Sequence, residues 1–415
     1  MRRDIILKPS SDLCNKVYRY FSVIQYFVYK LHGLSPWTLK VSEMFKKNSR
    51  IEDDLNQVFK ISYIGSFYNI LLMLGIVLYR IYLENALRQS NEILDDTQFD
   101  LPEEIPGEKF GSKSFVKFTS ITWLMETISV LWIQLFYVYK QKSMINIINR
   151  LSNVDRKLNI RVDSYAKKIL IYFIFMLNFL FVSARIILAI PIEASPVISI
   201  VYENFPTVMY SWIIVQFIIL LTILEEQFKA LNLSIKTSNF SQISRSMVGL
   251  SLMEESAFQE IDHLESLYIE LYDICEEINN FYELLLLMSI LCFNYNLILF
   301  ISFFILNGSF PSEIFEILFF LAQVIFVPWV IFLTLVLTFA VSKTIDQSQE
   351  TGPLIILLSE QCPMNPQVIE RLVKFSRDLL FFKVEFSAWG TLPLDRNLLG
   401  IVCGTVTTFV VIIVA

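Results

Sequence analysis

Hydrophobic residues in this chain come in long blocks rather than in the short alternations of a soluble fold. Seven blocks are candidates to cross a bilayer: about Phe59–Leu83, Phe115–Tyr139, Ile169–Ile190, Val201–Leu224, Tyr282–Leu306, Ile314–Ala340 and Leu398–Ala415. A helix rises about 1.5 Å per residue, so the 18 residues of the last block span about 27 Å, just enough for a hydrocarbon core of about 30 Å. Pro191 and Pro196 turn the chain between the third and fourth blocks, and Pro206 and Pro328 fall inside blocks, where they kink helices.

Between the blocks the pattern changes to amphipathic. Lys16–Trp37 mixes aromatic residues with Lys16, Arg19 and Lys30, which predicts a helix lying on the membrane surface and ending near Gly33-Leu34-Ser35-Pro36. In Glu225–Phe281, the residues Leu264, Leu267, Leu271, Ile274, Ile278 and Phe281 are spaced by alternating threes and fours, a heptad seam. Val368, Leu372, Phe375, Leu379 and Phe382 repeat that spacing in a helix predicted over Asn365–Phe382. The seams predict that spans four and five continue past the bilayer into a helical bundle. One solvated helix packed on one neighbour is the alternative. Val341–Pro366 is polar and is expected to break at Gly352, Pro353 and Pro363, and Lys383–Asn397 reads as a polar elbow around Gly390 and Pro393.

The resulting organisation is a cytoplasmic region 1–58, six spans over 59–340 with the inner helix 225–281, a linker and anchor helix over 341–397, and a seventh span over 398–415. Composition agrees with this. Apolar residues make up 54% of the 415 and charged residues 18%, too apolar for a soluble domain of this size. The formal charge of −6 excludes a nucleic-acid binder. Arg2, Arg3 and Lys8 precede no long apolar run, so no cleavable signal peptide is expected. Cys14, Cys275, Cys292, Cys362 and Cys403 are scattered, and His32 and His263 lie far apart, so neither a disulfide framework nor a zinc site is expected.

Charge also sets an orientation. With the N-terminus inside, 28 Lys and Arg fall in inner segments, counting Lys60 at the head of the first span, against 3 in outer loops (Arg88, Lys109 and Lys113). Seven spans then put the C-terminus outside, the reverse of a G-protein-coupled receptor. Asp/Glu-Arg-Tyr after span three and Asn-Pro-x-x-Tyr in span seven are also missing. Asn307-Gly308-Ser309 is the sequon in an outer loop, and those at Asn232 and Asn239 fall inside.

Charges within spans cost about 2.5–3.5 kcal/mol on insertion scales, so they face cavities or partners. Glu126, Arg185 and Glu203 are the cases here. Read structurally, Arg185 reaches to the outer surface and a neighbouring hydroxyl holds Glu126. Read functionally, they belong to an outward-open cavity among spans two to six, with Trp123, Tyr210, Trp212, Tyr295, Asn296 and Gln323 in its walls. Any of these residues singly serves packing as well. In the last span Gly404, Thr405, Thr408, Ile412 and Ala415 share one face. That face is either a packing seam or one side of a pore closed by a dewetting ring at Phe409, Ile412 or the terminal residues. Val410 and Val411 would then face lipid or spans five and six. No nucleophile elbow, metal motif or phosphate loop occurs, so no enzyme and no cofactor is expected.

The last fifty residues carry a signature. Phe375-Ser376, Leu379-Leu380, Lys383, Phe386-Ser387-Ala388-Trp389-Gly390, Leu394-Asp395 and Thr408-Phe409, followed by Val410 to Val414, stand in a recognisable order. The chain resembles the insect gustatory receptors, which carry Phe-Ser, Leu-Leu, Lys, Phe-Ser/Thr-Ala-x-Gly, a Pro/Asp-Leu element, and Thr-Tyr before five apolar residues and Gln-Phe. Ala415 stands where that family has Gln, and the following Phe is absent. The resemblance implies an all-α membrane protein, a homotetrameric ligand-gated non-selective cation channel in the plasma membrane of gustatory neuron dendrites. It implies a pore lined by the last span and an anchor built from inner extensions of spans four to seven. Its partners would be a small tastant, permeant cations and membrane lipid. The sugar branch usually has Glu after Thr-Tyr; Val410 stands there, which leaves a plant-derived bitter compound or a fructose-like sugar. An odorant-receptor-type channel and a seven-span transporter compete with this reading.

Overall fold

The computed structural model describes residues 23–35, 37–39, 59–97, 109–158, 165–189, 197–237, 250–307, 314–361 and 366–414, and the side chains of most of them. These residues form nine long or medium helices: α1 Tyr63–Thr97, α2 Lys109–Tyr139, α3 Gln141–Leu158, α4 Tyr165–Ala189, α5 Val197–Thr237, α6 Leu250–Asn307, α7 Ile314–Gln361, α8 Pro366–Asp378 and α9 Asn397–Val414. Residues 23–31 add a short helix, and two two-residue ladders pair β1 Thr38–Leu39 with β2 Phe59–Lys60 and β3 Ser387–Ala388 with β4 Leu392–Pro393. Among the described residues, six of the seven apolar blocks fall on helices throughout, and the first passes from β2 into α1 at Tyr63. Five helices (α1, α4, α5, α6 and α7) carry stretches long and apolar enough to cross a membrane, and α2 and α9 carry shorter ones, Leu124–Tyr139 and Asn397–Phe409.

The chain divides into two compact units, Met1–Lys142 with Ser195–Met209, and Ser143–Ala194 with Tyr210–Ala415. In the first, α1 packs on α2. Large apolar side chains at Ile64, Phe67, Leu71, Leu74, Leu78 and Ile81 stay exposed at steps of three and four, the pattern of a lipid-facing stripe. The segment after helix 23–31 is pinned to α1. Asn69 Nδ2 donates to the Gly33 carbonyl at 2.6 Å and Tyr68 Oη to the Leu31 carbonyl at 2.9 Å. Gly33 has φ +76°, and a Cβ there would lie 3.2 Å from Asn69 Oδ1, so the turn requires glycine on both counts.

In the second unit α5 is the centre: every residue from Tyr210 to Thr222 is buried. Beyond its apolar block α5 continues to Thr237, and α6 begins at Leu250, so the predicted extensions of spans four and five exist. The predicted break in the linker does not. α7 runs unbroken through Gly352 and Pro353 to Gln361. Proline removes one intrahelical donor, but Pro353 and Gln349, whose carbonyl loses it, are both exposed, where the lost bond can be made to solvent. One turn earlier, Asn232 ties α7 to α5. Its Nδ2 donates to the Gln347 carbonyl at 2.8 Å and its Oδ1 accepts from Thr351 Oγ1 at 2.7 Å. Buried and bonded through both amide atoms, Asn232 has no room for a glycan in this fold. Asn239, Pro363, Cys14 and Cys362 lie outside the described residues.

The α6 seam is buried within the single chain, and so is the α8 seam as far as Phe375, while Leu379 and Phe382 are half-buried. Leu264, Leu267, Leu271, Ile274, Ile278 and Phe281 on α6 and Val368, Leu372 and Phe375 on α8 lie between 0% and 5% exposed. They meet through Tyr268, whose ring lies 6.3 Å from Phe375 and 5.8 Å from Phe228 of α5. The α8 helix stops at Asp378, four residues before the predicted end. Phe382 still continues the seam, with its ring 5.2 Å from Tyr272 and its carbonyl accepting from Tyr268 Oη at 3.1 Å.

Candidate functional site

Inside the membrane-spanning part of the second unit, a neutral amide holds three helices together. Asn178, in the middle of α4, is fully buried. Its Oδ1 accepts from the indole Nε1 of Trp329 on α7 at 3.1 Å, and its Nδ2 donates to Ser211 Oγ on α5 at 3.4 Å. An amide left unpaired in an apolar interior costs several kcal/mol relative to water, so this side chain fixes how α4, α5 and α7 meet. Hydrogen bonds between membrane helices average about 0.6 kcal/mol, with about 1.7 at most.

Aromatic rings close around the amide. Phe293 of α6 lies 5.9 Å from Trp329 and 6.1 Å from Phe326, and Tyr210 meets Phe293 edge-on at 6.5 Å. The Arg185 guanidinium sits 4.6 Å from the centre of the Phe326 ring. Arg185 is thus placed by a cation–π contact, a desolvated form of which is worth about 2 kcal/mol. Together these residues form one aromatic cluster with a cation at its rim and a hydrogen-bonded amide at its base.

Of the cavity residues read from the sequence, Tyr210 and Arg185 join this cluster. Trp212, two positions along α5, turns to another side and packs on Phe175 at 4.8 Å. Tyr295 and Asn296 are half-buried, and Asn296 Nδ2 donates to its own helix at the Cys292 carbonyl, 2.8 Å away. Glu126 lies in the first unit, partly exposed, with its backbone carbonyl accepting from Ser129 Oγ at 2.8 Å. The side chains of Trp123, Glu203, Asn307 and Gln323 lie outside the described residues. The sequence reading passed over Asn178, Ser211, Phe293, Phe326 and Trp329. Asn178 was the legible one: an amide amid Phe-Met-Leu and Phe-Leu-Phe carries the same demand for a partner as a charge, at lower intensity.

The C-terminal signature forms a hairpin docked on the bundle. Phe386 and Ala388 point inward, with Phe386 edge-on to Phe217 of α5 at 6.0 Å, and Ala388 has no exposed surface. The Ser387 N–H donates to Asn279 Oδ1 of α6 at 3.0 Å, and the Leu394 N–H closes back on the Phe386 carbonyl at 3.1 Å. The turn between them passes through Trp389 at φ 53° and Gly390 at φ 63°. Phe-Ser-Ala-x-Gly is therefore a folding requirement. Two positions face inward, one supplies a backbone donor, and a left-handed turn follows that glycine tolerates and Trp389 adopts at a cost of about 1–2 kcal/mol.

The hairpin delivers the chain into α9, which packs on α6 through one face. Leu398 and Val406 are buried, with Val402 and Thr405 half-buried between them. The opposite face is open. Gly400 and Gly404 have no atom within 4 Å of a notional Cβ, and Thr408, Phe409, Val411 and Ile412 are exposed. Thr405, Thr407 and Thr408 each donate to the carbonyl four residues back at 2.8 Å, so their hydroxyl oxygens remain as acceptors. Of the face read from the sequence, Gly404, Thr408 and Ile412 stand outward and Thr405 sits at the edge. Val411 shares the outward surface instead of packing on α6 or α7. Val410 and Ala415 have no described side chain. Among the described residues, no group of three or more His, Cys, Asp or Glu is placed to hold a metal ion.

The sequence profile of the 7tm chemosensory receptors matches residues 108–414. A Drosophila melanogaster protein named gustatory receptor 28a is 28% identical over 172 residues, 40% of this chain. The match spans only 36%, about a third, of that relative's length. Two solved structures of the insect olfactory receptor OR5 from Machilis hrabei share the fold at 10% identity. The eugenol complex has a TM-score of 0.60 and covers 96% of this chain and 99% of its own. The second structure has a TM-score of 0.61 and covers 96% and 98%.

Proposed function

We propose a function from one premise: this chain belongs to the 7tm chemosensory receptor family. It is a multi-pass membrane chemoreceptor, not an enzyme. Our finer reading is a gustatory receptor of the plasma membrane, working as a homotetrameric ligand-gated cation channel. The observation that carries it is the open face of α9. An apolar helix with two glycines and exposed threonine on the side away from its own bundle is suited to close approach of several copies around an axis. The ligand would enter among α4, α5, α6 and α7 at the cluster around Asn178, and would gate the channel by binding the open arrangement of those helices more tightly than the closed one.

Expression of the full chain alone in a cell line, with calcium imaging against sugars and plant metabolites, tests the reading. Eugenol, bound by the structural neighbour, goes first in the panel. Tastant uptake without current would instead favour a transporter.

Two expectations follow from the site and the topology. Asn178→Leu strips the Trp329 indole N–H of its acceptor, at a cost of about 1–3 kcal/mol. It should shift the half-maximal agonist concentration roughly tenfold or more at unchanged surface expression, since about 1.4 kcal/mol is a factor of ten. Adding Trp329→Phe removes both partners and should recover much of the stability lost. An unchanged dose–response in the single variant would take the cluster out of ligand recognition. For topology, the 28-to-3 distribution of basic residues predicts that a C-terminal tag stains on intact cells and an N-terminal tag only after permeabilisation. The reverse pattern would overturn the N-inside arrangement.

A further inference from the structure

At the foot of α9, a groove of about 430 Å³ opens sideways between α7 and the last helix. Its wall is almost entirely apolar, built from Phe332, Leu335 and Phe339 of α7 and Leu399 of α9, and it ends at Ser342 and Arg396. From Phe332 to Ser342 it runs ten residues, about 15 Å at 1.5 Å per residue, half of a hydrocarbon core of about 30 Å. Two cations stand at the polar end. The Lys343 ammonium, next in sequence to Ser342, lies 4.7 Å from the centre of the Phe339 ring that lines the groove. Arg396 is 82% exposed, and its partner Asp346 is 3.8 Å away and itself 61% exposed, a loose pair that leaves most of the guanidinium's donors to other acceptors.

We propose that this groove binds an anionic phospholipid. One acyl chain lies against Phe332, Leu335 and Leu399, and the headgroup phosphate is held by Lys343 and Arg396. An apolar slot one leaflet deep that ends in two exposed cations matches a lipid of that charge. A zwitterionic lipid would fill the slot equally well but gain far less from the cations. On the N-inside reading above, the groove opens to the cytoplasmic leaflet; the preference for an anionic lipid does not depend on that reading. Because the groove joins α7 to the root of the last span, an occupied groove would brace the hairpin that positions α9.

The test is binding to the purified full-length protein, independent of any current. Native mass spectrometry after addition of phosphatidylserine, phosphatidylcholine or inorganic phosphate reads the preference directly. With about 1 kcal/mol per Lys or Arg near an anionic surface, two cations give an expected preference of roughly thirtyfold for the serine lipid. Lys343→Gln with Arg396→Gln should bring the two lipids to near parity, and Lys343→Arg with Arg396→Lys should keep the preference. Asp346→Asn, which frees Arg396, should raise it. All these side chains are exposed, so an unchanged thermal midpoint in phosphatidylcholine shows that each variant is folded. Equal retention of both lipids by the wild type would overturn the proposal, as would an undiminished preference in the double glutamine variant. Displacement of the serine lipid by inorganic phosphate would point to a soluble anion instead. Lipid found only on dissociated subunits would mean that a second copy of the chain covers the groove.

Discussion

Leu271→Asp is expected to destroy the folded subunit itself, with no receptor at the cell surface and no monodisperse peak on size exclusion. Leu271 has no exposed surface, and its seam neighbours Leu264, Leu267, Ile274 and Ile278 are equally buried. Truncating a buried leucine costs about 2–5 kcal/mol. A carboxylate left there without a partner adds several more. That sum is comparable with the whole stability of a domain, about 5–15 kcal/mol. From the sequence alone the same seam suggests a surface between subunits, because an amphipathic stripe has to meet something. The structure supplies that something from within the chain: α8 and, on α5, Phe228. Exposed apolar side chains on the same bundle lie elsewhere, at Leu380 and Phe381, 78% and 77% exposed. Phe381→Asp should leave the subunit's melting temperature almost unchanged, because a surface substitution costs within about 0.5 kcal/mol. If those two residues meet a neighbouring subunit, the same variant separates the oligomer. Light scattering and a thermal melt on both variants decide the matter. A Leu271→Asp subunit with a native midpoint would show that the α6 seam is not core.

The helices that cross the membrane were legible because apolar length is a one-dimensional signal. The α3 helix was not read, although its pattern was present: Met144, Ile147, Leu151, Val154 and Leu158, at steps of three and four, are all buried. The basic residues between them were counted only as evidence for orientation. Two of those cations in fact clamp α3 to α6, with Arg150 2.7 Å from Glu277 and Lys157 2.6 Å from Glu270. Gly352-Pro353 misled in the other direction, since local propensity predicts a break that the tertiary bonds of Asn232 override. The aromatic cluster around Asn178 was half legible. Charge drew attention to Arg185, but the partners of Asn178 sit 33 and 151 residues away along the chain, and no local pattern records a hydrogen bond of that kind.

The second large effect concerns α9. On the pore reading, a cysteine at Thr408 should react with a small water-soluble thiol reagent, and faster with agonist, because water reaches that face when the constriction wets. The native thiols set the background. Cys403, exposed on α9 itself, and half-buried Cys292 must be replaced first, together with Cys14 and Cys362, whereas Cys275 is buried and burial pushes its thiol pKa up, which keeps it inert. The control position is Val406, 8% exposed against α6, where a cysteine should stay unreactive in both states. Val411 is a poor control because it stands outward, 59% exposed, next to the predicted pore residues. Ile412→Ala should leak current without ligand, since a smaller apolar ring at a narrow point wets more easily. The same substitution costs the isolated subunit little, as Ile412 is 65% exposed. A leak with unchanged thermal stability therefore separates a gate from a structural defect. Equal labelling at Thr408 and Val406, independent of agonist, would remove α9 from the pore and leave it as a packing helix of the bundle.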